Sequence, residues 1–264
     1  MGQENPFTES SGALCRRIRT ADPQSYRLLH NESLENREAF WKQQASRISW
    51  DTPYDTVFHE DFNTASISWF DGGKLNACRN VFGQSGSEPA RNNPSLVYYA
   101  SDMSEHRFEK AELAARVNEV AAGLAAKGIS SGDKVALYLH DCPETVFLML
   151  ACSKIGAAYV DRERATALKG LLSDIIIITT GPAAEGLLPF SDFASRANPS
   201  GEAESVDAEH PLYILYANSA TGIPRGSVFP TGGYLVQAAA SYDCIFNAAG
   251  IDSVTIDLSM THNT

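Results

Sequence analysis

The chain of 264 residues lacks the cysteine patterns of a disulfide framework or a structural zinc site. Its five cysteines, Cys15, Cys78, Cys142, Cys152 and Cys244, are odd in number and include no C-x-x-C pair. They read as reduced thiols of a cytoplasmic protein. The six histidines include no i, i+4 pair, so no metal site is assigned. There is no G-x-G-x-x-G stretch, and Gly232-Gly233-Tyr234 reads as a helix start rather than a dinucleotide loop. Long apolar runs are missing too. The longest, Thr145–Val160, is interrupted by Lys154 and is too short to cross a bilayer. The opening MGQENPFTES has no apolar signal-peptide core, and Pro6 stands where a myristoylation start wants Ser or Thr. Positive charge is scarce, with 21 Lys and Arg against 32 Asp and Glu, a net charge of -11. The densest basic cluster, Cys15–Arg19, is short, so neither nucleic acid nor an anionic membrane is expected as a partner.

What is present is an ordinary globular composition, 44% hydrophobic and 20% charged, long enough for one large domain or two small ones. Residues 1–30 read as an irregular lead-in. Residues 31–94 hold a helical stretch from Asn31 to Ile48, an aromatic extended segment and a Gly72-Gly73 turn. Residues 95–180 alternate strand and helix. SLVYYA is a strand, and Phe108–Lys127 is a helix with Leu113, Val117, Val120 and Leu124 on one face, stopped by Gly128. DKVALYL is a strand, and Pro143 opens a helix that Gly156 closes. AAYV is a strand, Arg162–Leu172 a possible helix, and DIIIITT a strand buried on both faces. Residues 181–210, rich in Gly, Pro, Ser and acid, read as a linker with at most one short helix. Residues 211–264 open with the strand PLYILYA, followed by a loop and a helix. This rhythm predicts an α/β fold, a mainly parallel twisted sheet with helices on both faces.

The stretch LYANSATGIPRGSV, Leu215–Val228, holds the candidate site. Taken alone it reads as a turn of small residues, because its glycine spacing suits no common phosphate loop. Other candidates read more simply. Asp55, Glu60 and Asp61 are a solvated surface, as is the acidic run Glu202–Glu209. WFDGGKLN is a turn anchored by aromatics. Cys142 and Cys152 have no basic neighbour to activate a thiol.

Three stretches in order resemble one family. FWKQQASRISWDTPYDTVF with WFDGGKLNACRN, then ISSGDKVALYLHDCPETVFLMLACSKIGAAYV, then EHPLYILYANSATGIPRGSVFPTGGYLVQAAASYDCIF are similar to AMP-forming short-chain acyl-CoA synthetases, the acetate and propionate ligases. The resemblance covers roughly residues 35–160 and 208–246, the N-terminal part of such enzymes. It implies the adenylate-forming synthetase fold, incomplete here. It also implies a reaction in which carboxylate and ATP give an acyl-adenylate and pyrophosphate, and coenzyme A then displaces AMP. ATP, Mg2+ and coenzyme A are the implied cofactors. No metal-ligating residue is assigned.

The family's loop reads Thr-Ser-Gly-(Ser/Thr)-Thr-Gly-x-Pro-Lys-Gly, against Ala217 to Gly226 here. Thr221, Gly222, Pro224 and Gly226 match, and Arg225 replaces lysine, keeping charge but not shape. The resemblance thus implies that Ser219, Thr221, Gly222, Arg225 and Gly226 face ATP phosphates, with backbone N–H groups and hydroxyls around them. The first half departs. Ala217 and Ala220 lack hydroxyls, and Ser219 replaces a glycine. Each lost hydrogen bond to phosphate costs roughly 1.5–3 kcal/mol. Two losses weaken ATP binding by about two to four orders of magnitude. The Arg-Gly-Gly element that helps bind coenzyme A is absent, and so are the Tyr-x-x-Thr-Glu motif and the C-terminal catalytic lysine, so no catalytic residue is assigned. Two readings remain: a synthetase chain impaired or inactive by itself, and a non-catalytic truncated relative that binds a partner. Strands without neighbours, DIIIITT among them, are expected at an open sheet edge that favours self-association.

Overall fold

The computed structural model of the chain describes residues 23–83, 95–100, 102–139, 142–160, 176–180, 187–192, 201–217 and 225–243. In chain order the N-terminal elements are α1 (Pro23–Glu35), α2 (Arg37–Ala45), β1 (Thr56–Asp61), β2 (Ser66–Asp71), β3 (Lys74–Leu75) and α3 (Ala77–Phe82). The middle holds β4 (Leu96–Tyr99), β5 (Glu105–Phe108), α4 (Lys110–Ala126), β6 (Lys134–Tyr138), α5 (Pro143–Ile155), β7 (Ala158–Val160) and β8 (Ile176–Thr179). Then come β9 (Leu187–Pro189), β10 (Val206–Asp207), β11 (Pro211–Ala217), β12 (Arg225–Pro230) and α6 (Thr231–Ser241).

The main sheet has the order β12-β11-β7-β6-β8-β9. Every neighbouring pair in it is parallel except β11 with β12. Alternation along the strands sorts side chains into two faces. Val135, Leu137 and Ile178 lie on one face and meet Leu113, Val117, Val120 and Leu124 of α4 and Phe147, Leu148, Ala151 and Cys152 of α5. Ala136, Val160 and Ile177 lie on the other, with Ile214 and Tyr216. The helix expected at Arg162–Leu172 lies outside the described residues. DIIIITT is not an edge: β8 sits between β6 and β9, which supplies the missing ladder. Among the described residues the outer strands of this sheet are β9, three residues ending in Pro189, and β12. The apolar pattern gave the strand, but its neighbour is a segment too short and too polar in context to announce itself.

The helix ends follow local chemistry. Pro143 occupies the first turn of α5, where its missing N–H costs nothing, and Gly156 closes the helix at φ 74°. A Cβ at Gly156 would lie 2.6 Å from Ser131 Oγ, so a side chain there would displace that hydroxyl as well as strain φ. α1 starts at Pro23, inside the expected irregular lead-in, and Asn36 separates it from α2. No side chain of α1 is buried, so no apolar periodicity marked it.

A second core joins the N-terminal segment to α6. Ala45, Val57, Phe70, Leu75, Ala208 and Val236 are buried together, ringed by Trp41, Trp50, Tyr54 and Trp69. Gly72, at φ 80°, turns the chain, and a Cβ on Gly73 would sit 2.7 Å from the Trp50 ring, so WFDGGKLN is a turn pressed under an aromatic.

The expected linker is instead docked structure in its described parts. Residues 187–192 form β9 and a short 3-10 turn, and β10 pairs antiparallel with β3. Asn76 Nδ2 donates to the Ser153 and Glu204 carbonyls at 2.8 and 2.7 Å. Arg79 Nη2 donates to the Ala203 carbonyl at 2.7 Å, and Ser205 Oγ to Asp51 at 2.8 Å. Val206 and Ala208 are buried. The acids of Glu202–Glu209 look solvated in composition because the backbone between them, not the carboxylates, makes most of these contacts.

Candidate functional site

β11 and β12 form a hairpin in which Ala217 pairs with Arg225 and Tyr216 with Gly226. The loop 218–224 joins them. Because β11 runs parallel to β7, β6 and β8, its carboxyl end shares one sheet edge with Val160, Tyr138 and Thr179. Outside the carboxyl ends of parallel strands is where such sheets bind ligands. Of the expected site residues, Ser219, Thr221 and Gly222 lie outside the described residues. Arg225 and Gly226 are placed at the exit of the loop, as the first residues of β12. Arg225 is exposed, and no carboxylate among the described residues pairs with it. A guanidinium on this edge with no carboxylate partner among the described residues suits a phosphate group. Gly226 is not among the glycines with left-handed backbone. A Cβ on it would lie 3.0 Å from the Tyr216 ring and 3.0 Å from Ile214, so the space beside this glycine is filled by its own hairpin partner.

The start of α6 offers no competing phosphate site. Gly232 N–H donates to the Ala208 carbonyl at 2.8 Å, and the Thr231 N–H and Oγ1 both donate to the His210 carbonyl, at 2.9 and 2.8 Å. A Cβ on Gly232 would come within 2.8 Å of Ala208 Cβ, so the glycine pair serves close packing of a helix start, as its spacing suggested. Tyr213 stacks between Tyr159 and Phe229, at 5.5 and 4.4 Å between ring centroids. Burial, then the neighbouring Tyr234, push the Tyr213 phenol up to about 12.

A cavity of about 380 Å³ lies among Trp41, Trp69, Phe229, Pro230, Tyr234 and Gln237. It adjoins the far end of β12, where Pro230 pairs with Pro211 at the start of β11. The six residues of β12 span about 17 Å, which separates Arg225 from this cavity along the strand.

The remaining sequence candidates have structural roles. Glu60 pairs with Arg37 at 2.9 Å. Asp61 accepts from Asn63 N–H and Thr64 Oγ1, which hold its carboxyl below the usual range. Burial pushes the Cys152 thiol up to about 12. Burial also raises Cys78 to about 11, against a smaller opposing pull from Lys154. Cys142 is raised by burial as well, so none of these thiols is poised as a nucleophile. Among the described residues no three His, Cys, Asp or Glu side chains gather as metal ligands. No helix among the described residues is long and apolar enough to cross a membrane.

Tyr216 and Asn76 were not singled out by sequence. The alternation of PLYILYA places Tyr216 on the face of Ile214, but its contact with Gly226 depends on the hairpin register. Asn76 follows the Gly-Gly turn as the N-cap of α3, a position whose residue type is readable, but its carbonyl partners are remote in sequence.

The sheet, its order and its antiparallel β12 define an adenylate-forming synthetase type of α/β fold. The chain is similar to the solved acetoacetyl-CoA synthetase from Streptomyces lividans, with a TM-score of 0.68 at 23% identity, over 87% of this chain and 43% of that one. Two family models match: acetyl-coenzyme A synthetase N-terminus over residues 26–81 and AMP-binding enzyme over residues 87–165. Acetyl-coenzyme A synthetase 2 of Pseudomonas putida is 30% identical over 275 residues, 85% of this chain and 42% of that protein. The acetyl-coenzyme A synthetase of Rhodobacter capsulatus is 31% identical over 276 residues, 86% of this chain and 42% of that protein. The chain belongs to the AMP-binding acyl-CoA synthetases, matching their N-terminal part. It spans about two-fifths, 42%, of the length of the curated relatives it matches.

Proposed function

We propose that this chain carries the phosphate-binding part of an AMP-forming acid–thiol ligase for a short carboxylate, acetate or propionate. In that reaction the carboxylate attacks the α-phosphate of ATP, pyrophosphate leaves, and the thiol of coenzyme A displaces AMP from the acyl-adenylate. The observation that carries this reading is Arg225, an exposed cation without a described carboxylate partner, on the carboxyl edge of the sheet directly after the loop. Its guanidinium offsets charge on the β- and γ-phosphates as pyrophosphate departs. Thr221 donates its hydroxyl, and the backbone of Ser219, Gly222 and Gly226 lines the anion. Mg2+ bound with ATP supplies further charge neutralisation. No residue is assigned to coenzyme A, because the Arg-Gly-Gly element is missing from the sequence. The reduced thiols suit a cytoplasmic setting.

The changed first half of the loop, Ala217, Ser219 and Ala220, makes the chain by itself an impaired ligase. Binding of MgATP is expected near millimolar, about two to four orders weaker than with an intact loop. A non-catalytic, partner-binding role is the second reading. The outer strand β12 favours it, where Val228 is 55% exposed. Titration calorimetry with MgATP tests the first reading. Weak binding that disappears in Arg225→Ala supports it. No heat at millimolar ATP, or equal heat from Arg225→Ala, would refute the phosphate-loop reading. Pyrophosphate release from ATP with acetate or propionate would refute the non-catalytic one.

A further inference from the structure

We propose that Tyr216 is a positioning residue for Arg225, acting through the glycine that follows that arginine. The inference rests on the phosphate-loop reading and adds a residue that the loop motif itself does not contain. Tyr216 and Gly226 are directly opposite in the hairpin, one pair below the Ala217–Arg225 pair that closes the loop. The Tyr216 ring lies across Gly226: a Cβ built there would be 3.0 Å from Tyr216 Cζ and 3.1 Å from Cε1. β12 is the outermost strand among the described residues, and no described strand pairs with Gly226 on its other side. An aromatic ring laid over such a glycine holds it in register.

Register decides where the charge goes. Side chains alternate across a sheet, so a slip of one residue would carry Arg225 to the opposite face. Ala217, opposite Arg225, is too small to prevent this. The Tyr216 ring, anchored beside Ala136, Val160, Ile177 and Ile214 on its own face, would have to give way by a few tenths of an ångström, as would Ile214, to any side chain at the facing residue. Gly226 thus leaves the ring its unshifted place across the hairpin, and the ring holds the register that puts Arg225 at the loop end of β12.

The test is a double-mutant cycle on the full chain, read by phosphorus NMR titration with MgATP and with AMP, alongside thermal melts. Tyr216→Ala and Gly226→Ala should each weaken MgATP by about tenfold, since displacements near 1 Å cost up to a hundredfold. Gly226→Ala should cost clearly less in the Tyr216→Ala background, where Ile214 is the close neighbour that remains. Tyr216→Phe should stay within about twofold of wild type, because the ring and not the hydroxyl does the positioning. AMP, which lacks the β- and γ-phosphates, should bind all variants alike. If MgATP and AMP weaken together with a falling melting temperature, Tyr216 is only structural and the inference is overturned. Independent, additive losses overturn it as well. Wild-type binding that Arg225→Ala abolishes but Tyr216→Ala leaves intact overturns this inference alone. A wild-type chain that binds no MgATP overturns it together with the phosphate-loop reading.

Discussion

Replacing Asn76 with alanine removes a side chain that is 1% exposed and ties three segments together. Its Oδ1 accepts from Arg79 N–H at 3.0 Å, capping α3. Its Nδ2 donates to the Ser153 carbonyl at the end of α5 and to the Glu204 carbonyl of the docked segment, at 2.8 and 2.7 Å. Loss of the cap costs about 1 kcal/mol. Each of the two lost donor bonds adds about 1 kcal/mol, the net worth of a partly buried hydrogen bond, the Ser153 carbonyl keeping the Gly156 N–H. The sum is about 3 kcal/mol, which in a chain of this size lowers the melting temperature by roughly 6–12 °C. Asn76→Asp separates the contributions. It keeps the cap acceptor but cannot donate, and it sets an anion beside carbonyl oxygens. Urea unfolding of the three proteins, with hydrogen exchange across residues 201–208, reads both effects. The expected outcome is that both variants lose about 2–4 kcal/mol and that exchange in 201–208 accelerates. If Asn76→Asp is as stable as wild type, the donor bonds contribute nothing and the reasoning fails.

Two further outcomes follow from burial and from the outer strand. The thiols of Cys78 and Cys152 stay protonated in the fold up to about 11 and 12, well above an exposed thiol. The unfolded chain therefore releases these protons first, so their contribution to stability is intact below pH 9 and is lost as pH rises from 9 toward 12. Melting temperatures measured from pH 7 to 11 should fall above pH 9, and the fall should be shallower in Cys152→Ala; a flat profile would contradict the burial argument. Self-association is expected to run through β12, so Val228→Lys should reduce light scattering without lowering the melting temperature, since Val228 is already 55% exposed. Unchanged scattering would point away from this edge.

Local chemistry was readable wherever a residue acts on its sequence neighbours. The buried stripe of Leu113, Val117, Val120 and Leu124 follows from helical period alone, and Gly128 and Gly156 end their helices because left-handed backbone favours glycine. The same holds for the buried strands around Val135 and Ile177, and for the family that the ordered motifs announce. Tertiary structure decided what depends on partners far apart in the chain. It placed β8 inside the sheet and turned an acidic stretch into a docked strap, because Asn76 and Arg79 reach backbone carbonyls that composition cannot reveal. It also set Arg225 on the carboxyl edge and laid Tyr216 over Gly226. Period and propensity act over a few residues, whereas register and burial are settled only when distant strands meet.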